Sequence, residues 1–236
     1  MINFPEQLSL SVSLRDETTF DNFCFTGHSG GVVKQALESI TSVSEAQQVF
    51  LWGAQGVGLT HLLQATCHAA TLRGCSAQYL PLRDLVAYDP AALLEGMENN
   101  SIICIDDIDA CRDEANWQQC LFHLYNNMRD AGNSILFSAH KSAAACDFDL
   151  RDLQSRLTQA TVFKVEELSD GEKQDVLQSR AKARGLSMPD DVAQYILSRA
   201  PRNSGALFTL LDSLDAVSLK EQRKLTIPLV RSVLLS

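Results

Sequence analysis

Apolar positions along the chain follow two rhythms. Five short runs, at 49–52, 77–80, 102–105, 135–138 and 161–165, are continuous or nearly so in β-branched and other apolar residues. Each predicts a short strand, and the run at 101–105 is of the buried type. Most of these runs are separated by segments with a helical period. The clearest lies at 114–130, where Trp117, Leu121, Leu124, Tyr125 and Met128 recur at helical spacing and predict a core-facing stripe. A second helical run covers 60–72. Strands alternating with helices predict a parallel sheet with helices on both faces. Ligands of such sheets gather at the carboxyl ends of the strands, where residues 53–60, Asp106 and Ser138 all fall.

After Val165 the rhythm becomes purely helical. Ser169-Asp170-Gly171-Glu172 has the form of a capping box and opens a helix that runs to about Gly185, a natural C′ residue. Pro189 introduces a second helix and residues 201–205 break it. A third helix follows through Leu207, Leu210, Leu211 and Leu214, and Thr226-Ile227-Pro228 starts a last short one. These changes predict three parts: an arm at 1–15, an α/β domain at 16–166, and a small all-α domain at 167–236.

Composition narrows the function. A chain of 236 residues with 45% hydrophobic and 21% charged content is that of an ordinary soluble protein with a sound core. A net charge of −9 argues against broad, charge-driven DNA binding and leaves DNA contact indirect or through a local patch. The seven cysteines include no C-x-x-C pair and read as reduced core thiols. His61 and His68 share a helix without a metal-ligand pattern. No basic-flanked apolar leader is visible, and no apolar run reaches the roughly 20 residues that span a bilayer. The expectation is a cytoplasmic protein with no membrane partner.

The chemistry concentrates at Gly53-Ala54-Gln55-Gly56-Val57-Gly58-Leu59-Thr60, which nearly matches the phosphate-binding pattern G-x-x-x-x-G-K-[ST]. Leu59 stands where the lysine belongs. The loop's backbone N–H groups and the helix that follows still predict an anion-binding nest. The mobile charge that reaches the β- and γ-phosphates is gone, so the loop predicts a nucleotide that is held but poorly hydrolysed. The run from Ser101 to Ile105 ends in Asp106-Asp107, the form of a Walker B strand. An acid there would hold magnesium, directly or through water, beside the Thr60 hydroxyl.

A lysine-poor P-loop, a Walker B strand and a helical lid together resemble an AAA+ module. Thr19-Phe20-Asp21-Asn22-Phe23 resembles the segment leading into that module in the bacterial initiator DnaA. Asp152-Leu153-Gln154-Ser155-Arg156-Leu157 resembles the initiator's arginine-finger box. The initiator's DNA-binding helix-turn-helix domain has no counterpart after the lid, and Gln7-Leu8-Ser9-Leu10 is similar to a sliding-clamp-binding peptide. The combination is similar to the Hda-type, DnaA-related regulators. The fold so implied is α/β: an AAA+ P-loop parallel sheet flanked by helices, followed by the lid.

The resemblance implies a negative regulator of replication initiation with DnaA and the DNA polymerase sliding clamp as partners, working as a homo-oligomer, a dimer. Its ligand would be ADP or another nucleoside diphosphate, contacted by residues 53–60, by His61 and by Arg202. Arg156 would act in trans on ATP bound to DnaA, an always-charged fork suited to phosphate oxygens. Asp107 stands where many AAA+ members carry a catalytic glutamate, His140 where the initiator has an aspartate, and Gly205 where its sensor-2 arginine would be. These departures fit an activator that is not a self-sufficient ATPase. A helicase-loader-like ATPase and a clamp-loader-like subunit remain as alternatives.

Overall fold

The sheet has five strands, every pairing parallel, in the spatial order Ala77–Pro81, Ile102–Asp106, Ser134–Ala139, Gln48–Trp52 and Thr161–Lys164. This computed structural model describes residues 18–25, 27–42, 45–200, 204–221 and 224–234. The Gln7–Leu10 peptide and Arg202 therefore lie outside the described residues.

Helix α1 (Gly27–Ile40) precedes β1 (Gln48–Trp52), the phosphate-loop motif and α2 (Leu59–Leu72). Strand β2 (Ala77–Pro81) leads through the short α3 (Leu82–Leu85) and α4 (Pro90–Leu94) to β3 (Ile102–Asp106). Then come α5 (Ala115–Asp130), β4 (Ser134–Ala139), α6 (Arg151–Gln159) and the edge strand β5 (Thr161–Lys164). All five expected strands form, with ends shifted by a residue or so, and the Trp117 stripe of α5 is buried as its period requires.

Alternation along the strands sorts the core into two layers. Phe50, Ile103, Ile105, Ile135 and Phe137 face α3–α6, where Leu82, Leu94, Trp117, Leu121 and Leu153 close the layer. Val49, Leu51, Ile102, Cys104 and Leu136 face α1 and α2, against Leu37, Leu62 and Leu63. Each such fully buried side chain contributes roughly 1.5–3 kcal/mol. All seven cysteines are free thiols.

Beyond β5 the chain is helical: α7 (Asp170–Ala183), α8 (Asp190–Arg199), α9 (Ser204–Glu221) and α10 (Ile227–Leu234). They build their own apolar cluster from Leu177, Ile196, Leu207, Leu211, Leu214 and Val230. The capping box is present in both directions, with the Ser169 hydroxyl accepting from Glu172 N–H and the Glu172 carboxylate accepting from Ser169 N–H at 2.8 Å. Gly185 closes α7 at φ 76°, the left-handed C′ position.

Helix α1 was not among the elements read from the chain, and it carries Gly30 and Gly31 in its interior. Gly30 is there for space: a Cβ would stand 2.7 Å from the Phe25 carbonyl carbon. The glycine lets the lead-in segment cross the helix.

Candidate functional site

A cavity of about 450 Å³ opens at the carboxyl ends of the strands, between the phosphate loop, the lead-in segment, the residues leaving β5 and the lid. From the loop it is lined by Ala54, Gly56, Val57, Gly58, Leu59, Thr60 and His61. Gly53 and Gln55 belong to the loop without lining the cavity. Gly53 packs where the chain leaves β5: a Cβ there would meet Val165 O at 2.6 Å and Val57 Cγ2 at 2.8 Å. Gly56 and Gly58 turn the loop at φ 86° and 97°, left-handed values that favour glycine. Gly58 also lies under Phe23, whose Cε2 would be 2.7 Å from a Cβ. Helix α2 begins immediately after it, so its first N–H groups and the positive end of its dipole face the cavity.

Leu59 takes the lysine's place in the sequence and a core residue's place in space. It is 5% exposed and packs with Leu62 and Leu63 in the layer beneath the loop. His61 is held by the lead-in segment. Its Nε2 lies 2.8 Å from the Thr19 carbonyl, and its ring is 5.6 Å from that of Phe23. Burial holds the imidazole below its usual pKa.

The acids at the end of β3 have divided roles. Asp106 is 3% exposed and does not line the cavity. One carboxylate oxygen accepts from the Tyr79 hydroxyl at 2.7 Å and the other from the Ser138 hydroxyl. Burial, and then the Asp106 charge, push the Tyr79 hydroxyl well above the ordinary tyrosine value, which keeps it a donor. Asp107 turns at φ 54°, and its N–H donates to Ser138 Oγ at 3.0 Å. Its carboxylate does line the cavity, paired with Arg83 Nε at 3.1 Å and His140 Nε2 at 3.2 Å. Burial raises its pKa, the Asp106 charge raises it further, and Arg83 and His140 beside it oppose them. Thr60 faces the cavity while Asp106 is turned away, so the pair does not fit a magnesium ion coordinated directly by Asp106. Among the described residues no group of three or more His, Cys, Asp or Glu side chains is placed to hold a metal.

Across the cavity the lid presents Arg180 and Arg184 from one face of α7. Arg180 donates to the Asn22 carbonyl at 2.5 Å and stacks 3.6 Å above the Phe208 ring. Arg184 pairs with Asp212 at 2.5 Å. Lys164, the last residue of β5, also lines the cavity. The sequence reading missed Lys164, Arg180 and Arg184. The spacing of the two arginines by one helical turn on α7 was the available signal.

Arg156 sits in the last turn of α6, partly exposed, with its neighbours Leu153 and Leu157 fully buried. It does not line the cavity and has no carboxylate partner among the described residues.

The family model of the bacterial DnaA ATPase domain matches residues 14–166, and that of the Hda lid domain matches residues 170–234. The chain belongs to the Hda-type, DnaA-related AAA+ family. Domain III of the Thermotoga maritima replication initiation protein DnaA has the same fold, at a TM-score of 0.78 and 19% identity over 93% of this chain and 96% of that one. AMPPCP-bound DnaA from Aquifex aeolicus matches at a TM-score of 0.72 and 22% identity, over 88% of this chain and 68% of that one. The RuvB Holliday junction branch migration motor of Thermotoga maritima matches at 0.68 and 18%, over 93% and 72% of the respective chains. At these identities the likeness is one of fold, and it extends across both the sheet and the lid of this DnaA-related chain.

Proposed function

We propose that this chain is a negative regulator of replication initiation that holds a nucleoside diphosphate, docks on the sliding clamp and stimulates ATP hydrolysis on DnaA. The observation that carries the reading is Arg156. The segment that resembles the DnaA arginine-finger box lies on a helix pinned by Leu153 and Leu157, with the Arg156 guanidinium outside the chain's own cavity and free of any carboxylate among the described residues. A guanidinium so placed is available to a neighbour's γ-phosphate. Supplied in trans, such a group is worth about a thousandfold or more in rate.

The cavity supports the other half of the reading. The loop keeps its nest and helix N-terminus, while Leu59 is committed to the core and Asp107 is tied to Arg83 and His140. A site of this kind binds phosphates better than it turns them over. ADP is the diphosphate we assign, by analogy with the DnaA relative bound to AMPPCP, an adenine nucleotide. Its role is to hold lid and sheet together, since both line the cavity. The clamp contact falls to Gln7, Leu8, Ser9 and Leu10, an extended peptide with one hydrogen-bonding anchor and apolar plugs. The working form is a dimer in the cytoplasm. No described helix is long and apolar enough to cross a membrane.

The test is conversion of DnaA-bound ATP to ADP, measured with clamp loaded on DNA and with the purified chain added or withheld. Acceleration that requires chain, clamp and DNA together supports the proposal. Steady ATP turnover by the chain alone would instead make it an ATPase in its own right.

A further inference from the structure

We propose that this chain holds its nucleoside diphosphate without magnesium, and that the Lys164 ammonium supplies the charge at the phosphates. The inference rests on the nucleotide reading above and deepens it.

A diphosphate seated on a P-loop needs positive charge, which such sites ordinarily draw from a magnesium ion and the loop lysine. Here neither source fits. Leu59 is packed in the core. The strand-end acid is closed off, with Asp106 3% exposed and both of its oxygens capped by the hydroxyls of Tyr79 and Ser138. Recruiting it would expose a buried carboxylate and strip two donors from it, which costs more than an exposed acid would. Asp107 reaches the cavity, but a dication there would have to displace Arg83 and compete with His140, each about 3 Å from one of its oxygens. Asp212 is likewise taken, by Arg184.

Lys164 is the cation with the right address. It ends β5 in register with Trp52, the residue immediately before the loop, and lines the same cavity as Gly56 and Thr60. Its Nζ rests 5.5 Å from the centre of the Trp52 ring and has no carboxylate partner among the described residues. A lysine is a compact charge on a flexible four-carbon stem, so it can leave the ring for a phosphate oxygen without disturbing the fold. It thus restores, from a neighbouring strand, the charge that the loop itself has lost.

Calorimetry of ADP binding to the full chain, in millimolar magnesium and again in excess EDTA, tests the idea. The expected affinities agree within about twofold. Lys164→Ala should bind ADP about tenfold more weakly in both buffers, and Lys164→Arg should recover most of the loss. Because Lys164 is exposed on an edge strand, thermal melts of the variants should match wild type. Binding that weakens tenfold or more in EDTA, or that ignores Lys164→Ala, overturns the inference and leaves the nucleotide reading standing. No ADP binding in either buffer overturns both.

Discussion

Leu59→Lys restores the missing residue of the phosphate-loop motif, and the structure sets its consequences. Leu59 is 5% exposed in a cluster with Leu62 and Leu63, so the substitution removes one well-packed leucine from the core. Losing that burial costs roughly 1.5–3 kcal/mol. At about 2–4 °C per kcal/mol for a chain of this size, the melting temperature of the unliganded protein should fall by about 3–12 °C. The lysine stem can run along the apolar surface and place its ammonium in the cavity, because Leu59 already borders it. ADP affinity should therefore rise, by about tenfold for one charge-assisted contact worth about 1.4 kcal/mol. ATP turnover should stay at background, because Asp107, the strand-end acid that lines the cavity, remains tied to Arg83 and His140. Scanning calorimetry, isothermal titration and phosphate release measure the three quantities. An unchanged melting temperature would show that Leu59 is not part of the core. Sustained turnover would show that the lysine alone separates this site from a working ATPase.

Gly58→Ala should abolish ADP binding in calorimetry, because an alanine at φ 97° carries about 1–2 kcal/mol of strain and its Cβ would strike Phe23; undiminished affinity would refute the loop geometry. Tyr79→Phe leaves one oxygen of the buried Asp106 carboxylate without its donor and should lower stability to urea by about 1–3 kcal/mol. A midpoint equal to wild type would mean that the hydroxyl is dispensable. Replacing Gln7, Leu8 and Leu10 together with alanine should abolish binding to immobilised clamp in surface plasmon resonance while leaving ADP affinity unchanged, and full clamp binding by that variant would refute the arm's role.

The sheet was legible because its strands are short apolar runs bounded by polar turns, and the period of Trp117, Leu121, Leu124 and Met128 could serve only a buried helix face. The phosphate loop was legible because its glycines mark left-handed turns at fixed spacing. Other features depend on contacts that no local pattern carries. Gly30 sits inside a helix for the sake of the Phe25 backbone, which a propensity argument cannot foresee. The Walker B strand announces Asp106 as an acid at the strand end, but the two hydroxyls that seal it come from 27 and 32 residues away on neighbouring strands. Nothing in the local pattern singles out Lys164, whose place beside the loop comes from its register with Trp52 on the neighbouring strand. Arg180 and Arg184 line the cavity because the lid lies across it from the loop, a meeting of segments distant in the chain.

The claim that this chain acts on its partner's nucleotide comes down to Arg156. The decisive measurement is the rate of ATP-to-ADP conversion on DnaA with clamp loaded on DNA, comparing wild type with Arg156→Ala and Arg156→Lys. The guanidinium matters chiefly as charge develops in the transition state, so the rate should suffer more than assembly. The account predicts loss of stimulation, by about a thousandfold at full effect, in Arg156→Ala, with clamp and ADP binding near wild type. Arg156→Lys should also be poor, because a point charge cannot reproduce the bidentate fork. Stimulation by Arg156→Ala equal to that of wild type would contradict the account and return Arg156 to the role of a surface arginine on α6.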